Sequence, residues 1–377
     1  MAMTNSTLTP DPVLRRSADR ALVTVTVPAP SESTDAGDRF DVELSNARRH
    51  VVELLDGTPD VDAESAADRL VDALRAHGHA GAMTLVGVAG ADDVAVFATA
   101  ETLPAGAAAG PLPALGELIA AQQTWIPHAL VMVDRIGADV ELVTAGHEEI
   151  DLTVDGESQH ITKSNPGGWS QRRFQQRAEE QWEENLRLVA DRLTQETRDR
   201  HLQLIALTGD ETAVAMLRDL LPDDLQDLVV DLETGGRADD GSADHVQEEA
   251  DAAVRRAAAY HRASRQRAVT DAVGRGDGVT GRHDVLRALF EGRVETLVVH
   301  LRAAADAHAY IGDEPSQIVA DSARLHELDL PATRVPLADG ALAAAASTGA
   351  EVVVVQEALT DYPDGLAASL RGREALG

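Results

Sequence analysis

The sequence contains no cysteine. Disulfide bonds, thiolate zinc sites, iron–sulfur clusters and cysteine nucleophiles are therefore excluded. Aromatic residues make up only 3% of the chain, so its hydrophobic cores must be built mainly from Ala, Val and Leu. No window approaches the roughly 18 uncharged apolar residues that a membrane-spanning helix needs. We therefore expect a soluble, cytoplasmic protein without a membrane partner.

Basic residues are also few. The chain has 33 Lys+Arg against 64 Asp+Glu, a formal net charge of −31, and Lys163 is its single lysine. A strongly acidic surface disfavours nucleic acid, because binding to phosphate requires basic residues at the contact. Much of this charge is typical of a GC-rich, salt-adapted genome, where acidic surfaces keep proteins soluble. The net charge therefore argues against a broad nucleic-acid surface and leaves a local one possible.

Signals for cofactors and metals are weak. The chain has no G-x-x-x-x-G-K-[S/T] string, and we expect no nucleotide cofactor. His77 and His79 have no third ligand nearby, so no metal site is expected either. A nuclease needs several carboxylates that converge on metal, and the pattern places only Asp134 and Asp231 on or beside strands of the middle segment. A nuclease is the weakest alternative.

The length of 377 residues predicts an α/β protein of several domains. Residues 1–124 are predicted to form an N-terminal α+β domain, with 1–20 flexible. It contains strands at Ala21–Pro30, Ala82–Val88 and Val94–Thr99, helices at Asp41–Leu55 and Asp62–His77, and a loop at Leu103–Leu115. The middle domain, 125–275, opens with a hairpin at His128–Thr144. A polar stretch at Asp151–Pro166, helices at Gln171–Arg200, Asp210–Asp219 and Val246–Val273, and strands at His201–Leu207 and Leu228–Leu232 follow.

The C-terminal domain, 276–377, alternates helices with apolar strands, which predicts a small α/β/α sandwich. Its helices are predicted at His283–Glu291, Val319–Glu327, Ala338–Thr348 and Gly365–Arg373, and its strands at Thr296–Leu301 and Glu351–Val355.

The most informative string is Asn165–Phe174, NPGGWSQRRF. Its paired glycines, Gly167 and Gly168, permit close approach to another surface, and Ser170 is predicted to cap the helix that follows. Trp169 then lies on the loop before that helix, where an aromatic residue is well placed to contact a partner. The charged residues between Asn165 and Ala178 are all basic, namely Arg172, Arg173 and Arg177. This tip is a basic spot in an acidic protein.

Further along the same helix, apolar residues recur every three or four positions: Phe174, Ala178, Trp182, Leu186, Val189 and Leu193. This stripe predicts the buried face of the helix and makes Phe174 and Trp182 core residues. Arg187 points away from the stripe. The arginines of the tip have an alternative interpretation, in which they pair with Glu179, Glu180 and Glu183 on a solvated helix surface.

A Gly-Gly loop that opens a long helix, inside a hairpin–loop–helix–strand–helix–strand unit, resembles the middle domain of the archaeal and eukaryotic class-1 release factors and Pelota. The release factors have Gly-Gly-Gln, and Trp169 stands here in place of the Gln. The string Gly167–Gln175, GGWSQRRFQ, is more similar to a bacterial and archaeal branch that includes ribosome hibernation factors. The segments from Asp284 to Val299 and from Gly349 to Val355 resemble the C-terminal domain of this superfamily, which is related to kink-turn-binding ribosomal proteins. The resemblance also implies an RNase H-like middle domain.

The resemblance implies a factor that binds the A site of idle ribosomes, with Gly167–Arg177 reaching rRNA of the peptidyl-transferase region. The implied RNA-binding residues are Lys163, Gly167, Gly168, Trp169, Ser170, Gln171, Arg172, Arg173 and Arg177. Release factors place their Gln beside the peptidyl-tRNA ester, and the Trp169 indole, a donor only, cannot replace it. The alternative is a codon-independent peptidyl-tRNA hydrolase that uses Gln171. The sequence leaves delivery by a translation-factor GTPase open, and a monomer is expected.

Overall fold

The computed structural model describes residues 22–30, 36–58, 61–77, 82–90, 93–144, 149–155, 168–232, 243–356 and 360–372, and residues 168–181 by their backbone alone. The chain divides into two compact units. One comprises Thr124–Tyr260, and the other the described residues of Leu8–Gln123 together with those of His261–Gly377. Boundaries near 124 and 275 between three domains remain a prediction. Across the described ranges, no helix combines the length and apolar character that crossing a bilayer requires.

The N-terminal part is an antiparallel sheet covered by two helices. Its elements are β1 (Leu22–Pro28), α1 (Ala36–Leu55), α2 (Ala63–Ala76), β2 (Thr84–Ala89), β3 (Val94–Thr99), β4 (Gly106–Gly110) and α3 (Gly116–Gln122), with sheet order β3-β2-β1-β4. Alternate residues of β1, such as Val23 and Val25, pack against Leu44 of α1 and Leu70 of α2. The predicted loop Leu103–Leu115 was wrong in part, because Gly106–Gly110 pairs with β1 as an edge strand despite its weak β propensity.

The middle unit is a five-stranded mixed sheet with helices on both faces. It contains β5 (His128–Val133), β6 (Gly137–Val143), β7 (Glu149–Asp155), α4 (Gly168–Arg200), β8 (Leu204–Gly209), α5 (Glu211–Leu220), α6 (Asp223–Gln226), β9 (Val229–Asp231) and residues 243–260 of α7 (Ala243–Arg275). The sheet order is β7-β6-β5-β8-β9, in which β5, β6 and β7 are antiparallel and β8 and β9 run parallel to β5. This order fits the predicted RNase H-like domain, and the predicted hairpin is confirmed. Strand β7 includes the first residues of the predicted polar stretch Asp151–Pro166, for which no strand was predicted.

The C-terminal part has a four-stranded sheet between helices. Its elements are β10 (Gly278–Thr280), α8 (Arg282–Phe290), β11 (Val294–His300), α9 (Leu301–Ala304), β12 (His308–Ile311), β13 (Ile318–Val319), α10 (Ala323–His326), β14 (Thr333–Pro336), α11 (Leu337–Thr348), β15 (Glu351–Val355) and β16 (Leu366–Leu370). The main sheet has the order β10-β16-β11-β15, and β13-β12-β14 form a second one. Leu297 packs in the core shared with α8 and α11, whereas Val298 packs against Val269 of α7. The predicted mixed α/β character is confirmed, with α8 and α11 packed on one face of the main sheet and α7 on the other.

The predicted terminal helix Gly365–Arg373 is wrong. Leu366–Leu370 is instead the strand β16, which lies between β10 and β11 and is antiparallel to both. The backbone turns immediately before it, at Asp364 with φ 54° and Gly365 with φ 71°, and such angles end any right-handed helix. Leu and Ala favour helices locally, but complete burial of Leu366 between two strands outweighs that preference. The predicted helix Val319–Glu327 is likewise reduced to Ala323–His326.

Gln123 joins the end of α3 to the C-terminal sheet within one compact unit. The Gln123 side chain is only 8% exposed. Its Nε2 donates to the carbonyl of Val352 at 3.0 Å, and its Oε1 accepts from the amide of Val354 at 2.9 Å. Leu118 of α3 packs in one cluster with Ala346 of α11. The N-terminal and C-terminal parts therefore share both hydrogen bonds and a hydrophobic core.

Candidate functional site

Helix α4 begins at Gly168, three residues earlier than predicted. Trp169 and Ser170 therefore lie in its first turn, and the predictions that Ser170 caps the helix and that Trp169 precedes it are wrong. The first four amides of a helix have no acceptor within it and can bind water as well as a side chain. A residue that could cap a helix therefore does not by itself fix where the helix starts. The first turn contains no acidic residue. The basic string is thus carried on the end of a helix.

The residues predicted to bind RNA fall into two groups. Lys163 and Gly167 lie outside the described residues. The others lie on the backbone of α4, and their side chains are outside the described part: Gly168, Trp169, Ser170, Gln171, Arg172, Arg173 and Arg177. Their roles remain predictions. The described part of α4 shows how this helix packs against the middle sheet.

The apolar stripe of α4 holds the helix to the middle sheet. Leu186, Val189 and Leu193 are at most 2% exposed and pack with Val131 of β5 and Leu142 of β6. The predicted buried face is confirmed for these residues, whereas Phe174 and Ala178 lie outside the described side chains. On another side of the helix, exposed Arg187 pairs with Glu183, one of the acids considered as partners for the tip arginines.

Arg135, in the turn between β5 and β6, contacts two residues of α4. The Arg135 guanidinium lies over the ring of Trp182, 4.5 Å from its centroid. The carbonyl of Arg135 accepts from Asn185 Nδ2 at 3.4 Å, and its guanidinium is 3.1 Å from Asp210 Oδ2. Trp182 and Asn185 are three residues apart and so lie on one side of the helix. These two contacts with Arg135 therefore hold this part of α4 to the β5–β6 turn.

Two aspartates shape the backbone around Arg135. Asp134 Oδ1 accepts from the amides of Ile136 and Gly137 at 2.7 and 2.9 Å, which closes the hairpin turn. Asp210 caps α5, and its Oδ1 accepts from the amides of Thr212 and Ala213, each at 3.1 Å. Burial alone raises the pKa of Asp210, but the hydrogen bonds from Ala213 and Arg135 outweigh it and lower the pKa. The predicted aspartate start of α5 is confirmed.

The acids on which a nuclease would depend are engaged in structural contacts. Asp134 closes the turn, and Asp231 pairs with Arg218 at 2.5 Å. Glu141 has a raised pKa, first because of burial and then because of nearby Glu149, Asp151 and Asp251. Among the described residues, no group of three His, Asp or Glu side chains is arranged to hold a metal ion. The described acids of this sheet therefore show no metal-dependent catalytic centre.

A glycine string was overlooked in the sequence. Gly276, Gly278 and Gly281 have the spacing G-x-G-x-x-G, which occurs in dinucleotide-binding loops between a strand and a helix. Here the string follows helix α7, and its central residues form β10 itself. The strand–loop–helix context of a dinucleotide site is therefore missing around this string.

Exposed residues of α7 were also not predicted. Arg255 and Arg256 are exposed, and Tyr260 is 67% exposed. The sequence shows that this helix is rich in Ala and Arg. It does not show which face is exposed, because that depends on how α7 packs.

The middle of the chain is similar to a known protein family. Residues 127–279 match the model of bacterial archaeo-eukaryotic release factor family 2. An uncharacterised protein of Mycobacterium tuberculosis is 29% identical over 250 residues, which cover 65% of this chain and 65% of the relative. The chain thus spans less than two thirds of that relative's length.

Two solved structures show weaker likenesses. The archaeal translation termination factor aRF1 is 16% identical, with 95% of this chain and 94% of that chain covered and a TM-score of 0.25. Dom34 of S. cerevisiae is 12% identical, with 74% and 75% covered and a TM-score of 0.37. Scores this low carry no functional argument. The family match covers residues 127–279, the segment that contains helix α4.

Proposed function

We propose that this protein is a ribosome-associated stress factor that occupies the A site of idle ribosomes. In this proposal the tip Gly167–Arg177 reaches rRNA of the peptidyl-transferase region. One observation carries it: the segment that matches a release factor family has Trp169 at the position of the catalytic Gln. A domain of this ancestry without the water-positioning amide is suited to binding without peptide release.

The anchoring of α4 supports this role. The helix has 33 residues, and Gly168 precedes the Trp182 anchor by fourteen positions. At 1.5 Å per residue, the tip extends about 21 Å along the helix axis beyond that anchor. An arm of this length, held at its base by the contacts of Arg135 with Trp182 and Asn185, can reach into a confined RNA site while the body of the protein stays outside.

The chemistry of the tip suits rRNA. Arg172, Arg173 and Arg177 provide guanidinium groups for phosphate, and the first turn of α4 contains no acidic residue that would repel it. Trp169 provides a ring on which a base can stack. Glycine at 167 and 168 allows the backbone to approach RNA closely.

Sedimentation with ribosomes tests the proposal. Wild-type protein is expected to pellet with idle ribosomes at moderate salt, and Trp169→Ala combined with Arg172→Ala and Arg173→Ala is expected to stay largely in the supernatant. Arg198→Ala is a matched control, because this exposed arginine of α4 is paired with Asp224 at 3.1 Å. Wild-type protein that remains in the supernatant would exclude the proposal. A ribosome-bound cryo-EM structure would then locate the tip.

The alternative, a peptidyl-tRNA hydrolase, depends on Gln171. The helical backbone from Gly168 onward puts Gln171 in the first turn of α4, which does not favour the register shift that the hydrolase needs. The two proposals give opposite results. A hydrolase releases peptide from stalled ribosomes, loses this activity in Gln171→Ala and keeps it in Trp169→Ala, whereas a hibernation factor releases no peptide in either form.

A further inference from the structure

We propose that the exposed face of α7 formed by Arg255, Arg256 and Tyr260 is a second RNA-binding surface. This inference deepens the proposed function, and it rests on that function for the claim that the RNA is ribosomal. The surface lies within the compact unit Thr124–Tyr260.

The local charge differs sharply from that of the whole chain. Between Ala252 and Tyr260 the sequence contains Arg255, Arg256 and no carboxylate, although the protein as a whole carries −31. An RNA backbone is repelled by acidic surface, and this repulsion is screened beyond about 8 Å at physiological salt. A polyanion is therefore repelled less by this stretch of α7 than by the acidic rest of the chain.

Both arginines are available for a partner. The opposite face of α7 is buried through Ala250, Val254 and Ala258, so its packing leaves Arg255 and Arg256 exposed. Neither arginine makes an ion pair with any described residue. Asp251, one turn before Arg255, is instead 3.1 Å from Gln247 Nε2.

This differs from other exposed arginines of the same unit. Arg187, Arg198 and Arg218 each pair with a carboxylate. Satisfied arginines of that kind contribute little to binding a further anion, because the bound carboxylate must first be displaced. Arg255 and Arg256 can contact a phosphate without first releasing a described carboxylate.

Tyr260 indicates which polyanion fits. At 67% exposure it is the most exposed large hydrophobic residue in the described part of the chain. It lies four residues after Arg256 and therefore on the same helical face. A guanidinium that contacts phosphate beside an aromatic ring that stacks on a base is the combination used for RNA. An acidic peptide would engage the arginines and leave the ring without a function.

Two binding measurements test the surface. The first uses a fluorescein-labelled single-stranded RNA of mixed sequence, followed by anisotropy, and the second uses sedimentation with ribosomes. Arg255→Gln with Arg256→Gln is expected to weaken binding of the labelled RNA at least roughly tenfold and to reduce the slope of log K against log salt by about 1–2. Tyr260→Ala is expected to weaken binding about tenfold, and Tyr260→Phe to retain it, because stacking needs the ring and not the hydroxyl.

The control is Arg187→Gln with Arg198→Gln, which removes the same charge from paired positions and is expected to leave binding of the labelled RNA unchanged. If this control weakens RNA binding as much as the α7 variant, or if the α7 variants bind like wild type, the inference is wrong. Wild-type protein that pellets with ribosomes but does not bind the labelled RNA overturns the inference alone. Protein that binds the RNA through α7 but does not pellet overturns the proposed function alone.

Discussion

The guanidinium of Arg135 stacks on the indole ring of Trp182, with 4.5 Å between the Arg135 Cζ atom and the ring centroid. Arg135 belongs to the turn of a hairpin, and Trp182 to the helix whose first turn carries the candidate site. Trp182 was predicted as core and is half-buried instead, with a charged group over its ring. Its main role is to connect the sheet to the arm.

Arg135→Ala is expected to lower the free energy of unfolding of the middle unit by about 1–2 kcal/mol, the sum of a cation–π contact and a partly exposed ion pair. Arg135→Lys keeps the charge near Asp210 but loses planar stacking and should give an intermediate value. Trp125, Trp169 and Trp182 all lie in this unit, so urea unfolding followed by tryptophan fluorescence reports on it. An equal loss in Arg198→Ala would show that the stacking contributes nothing specific.

Asp210→Ala is expected to lower the free energy of unfolding by about 1 kcal/mol at pH 7, because the amides of Thr212 and Ala213 lose their cap. The lowered pKa of Asp210 means that the carboxylate stabilises the fold above the unfolded pKa, near 4, and loses this effect as pH falls through the folded value. The difference from wild type should therefore shrink at pH 3. Asp210→Ser, which can still cap, should retain most of the stability, and a constant difference at both pH values would contradict this.

His128 is expected to make the middle unit less stable in mild acid. It is 5% exposed, its Nδ1 lies 2.9 Å from the carbonyl of Ile126, and burial lowers its pKa. The unfolded chain therefore takes up a proton near pH 6.5 that the folded one resists, and stability falls by up to about 1.4 kcal/mol per pH unit below that value. His128→Gln should flatten this slope in urea titrations between pH 7 and 5. An unchanged slope in His128→Gln would contradict this prediction.

Asp339, in the first turn of α11, is expected to act in the opposite direction. Burial raises the pKa of its carboxyl from its ordinary value of 3.8 to about 7. The folded protein holds a proton that the unfolded chain has released, so stability falls as pH rises from about 4 to about 7 and then levels off. Asp339→Asn should raise the free energy of unfolding by up to about 4 kcal/mol at pH 8, the equivalent of a shift of about three pKa units, and have little effect at pH 4. Urea unfolding followed by circular dichroism measures the free energy of unfolding at pH 8 and at pH 4. A similar gain from Asp313→Asn, at an exposed position, would rule out burial as the cause.

Features with a strong local period were predictable. The stripe through Leu186, Val189 and Leu193 gave the buried face of α4, and the Asp210 cap gave the start of α5. Strand β3 has the bounds predicted for it, Val94–Thr99. In each case the local pattern and the final packing agree, which is the condition under which sequence reasoning succeeds.

Features that depend on distant partners were not predictable. Strands β4 and β16 consist largely of Ala, Gly and Leu, and they exist because β1 in one case and β10 and β11 in the other offer backbone pairing. The string Gly167–Gln175 indicated the candidate site directly. The contact between Arg135 and Trp182, however, joins positions 47 residues apart in sequence. The exposure of Tyr260 likewise depends on which face of α7 packs against the sheet. No local period carries that information.

The side chain of Gln123 has a consequence for solubility as well as for packing. Strand β15 is at the edge of its sheet, and an edge strand offers unpaired amides and carbonyls to any other extended chain. Gln123 occupies the carbonyl of Val352 and the amide of Val354, as a residue of a neighbouring parallel strand would. One glutamine thus blocks the middle of this edge against intermolecular strand addition, which protects the C-terminal sheet from growing into an aggregate.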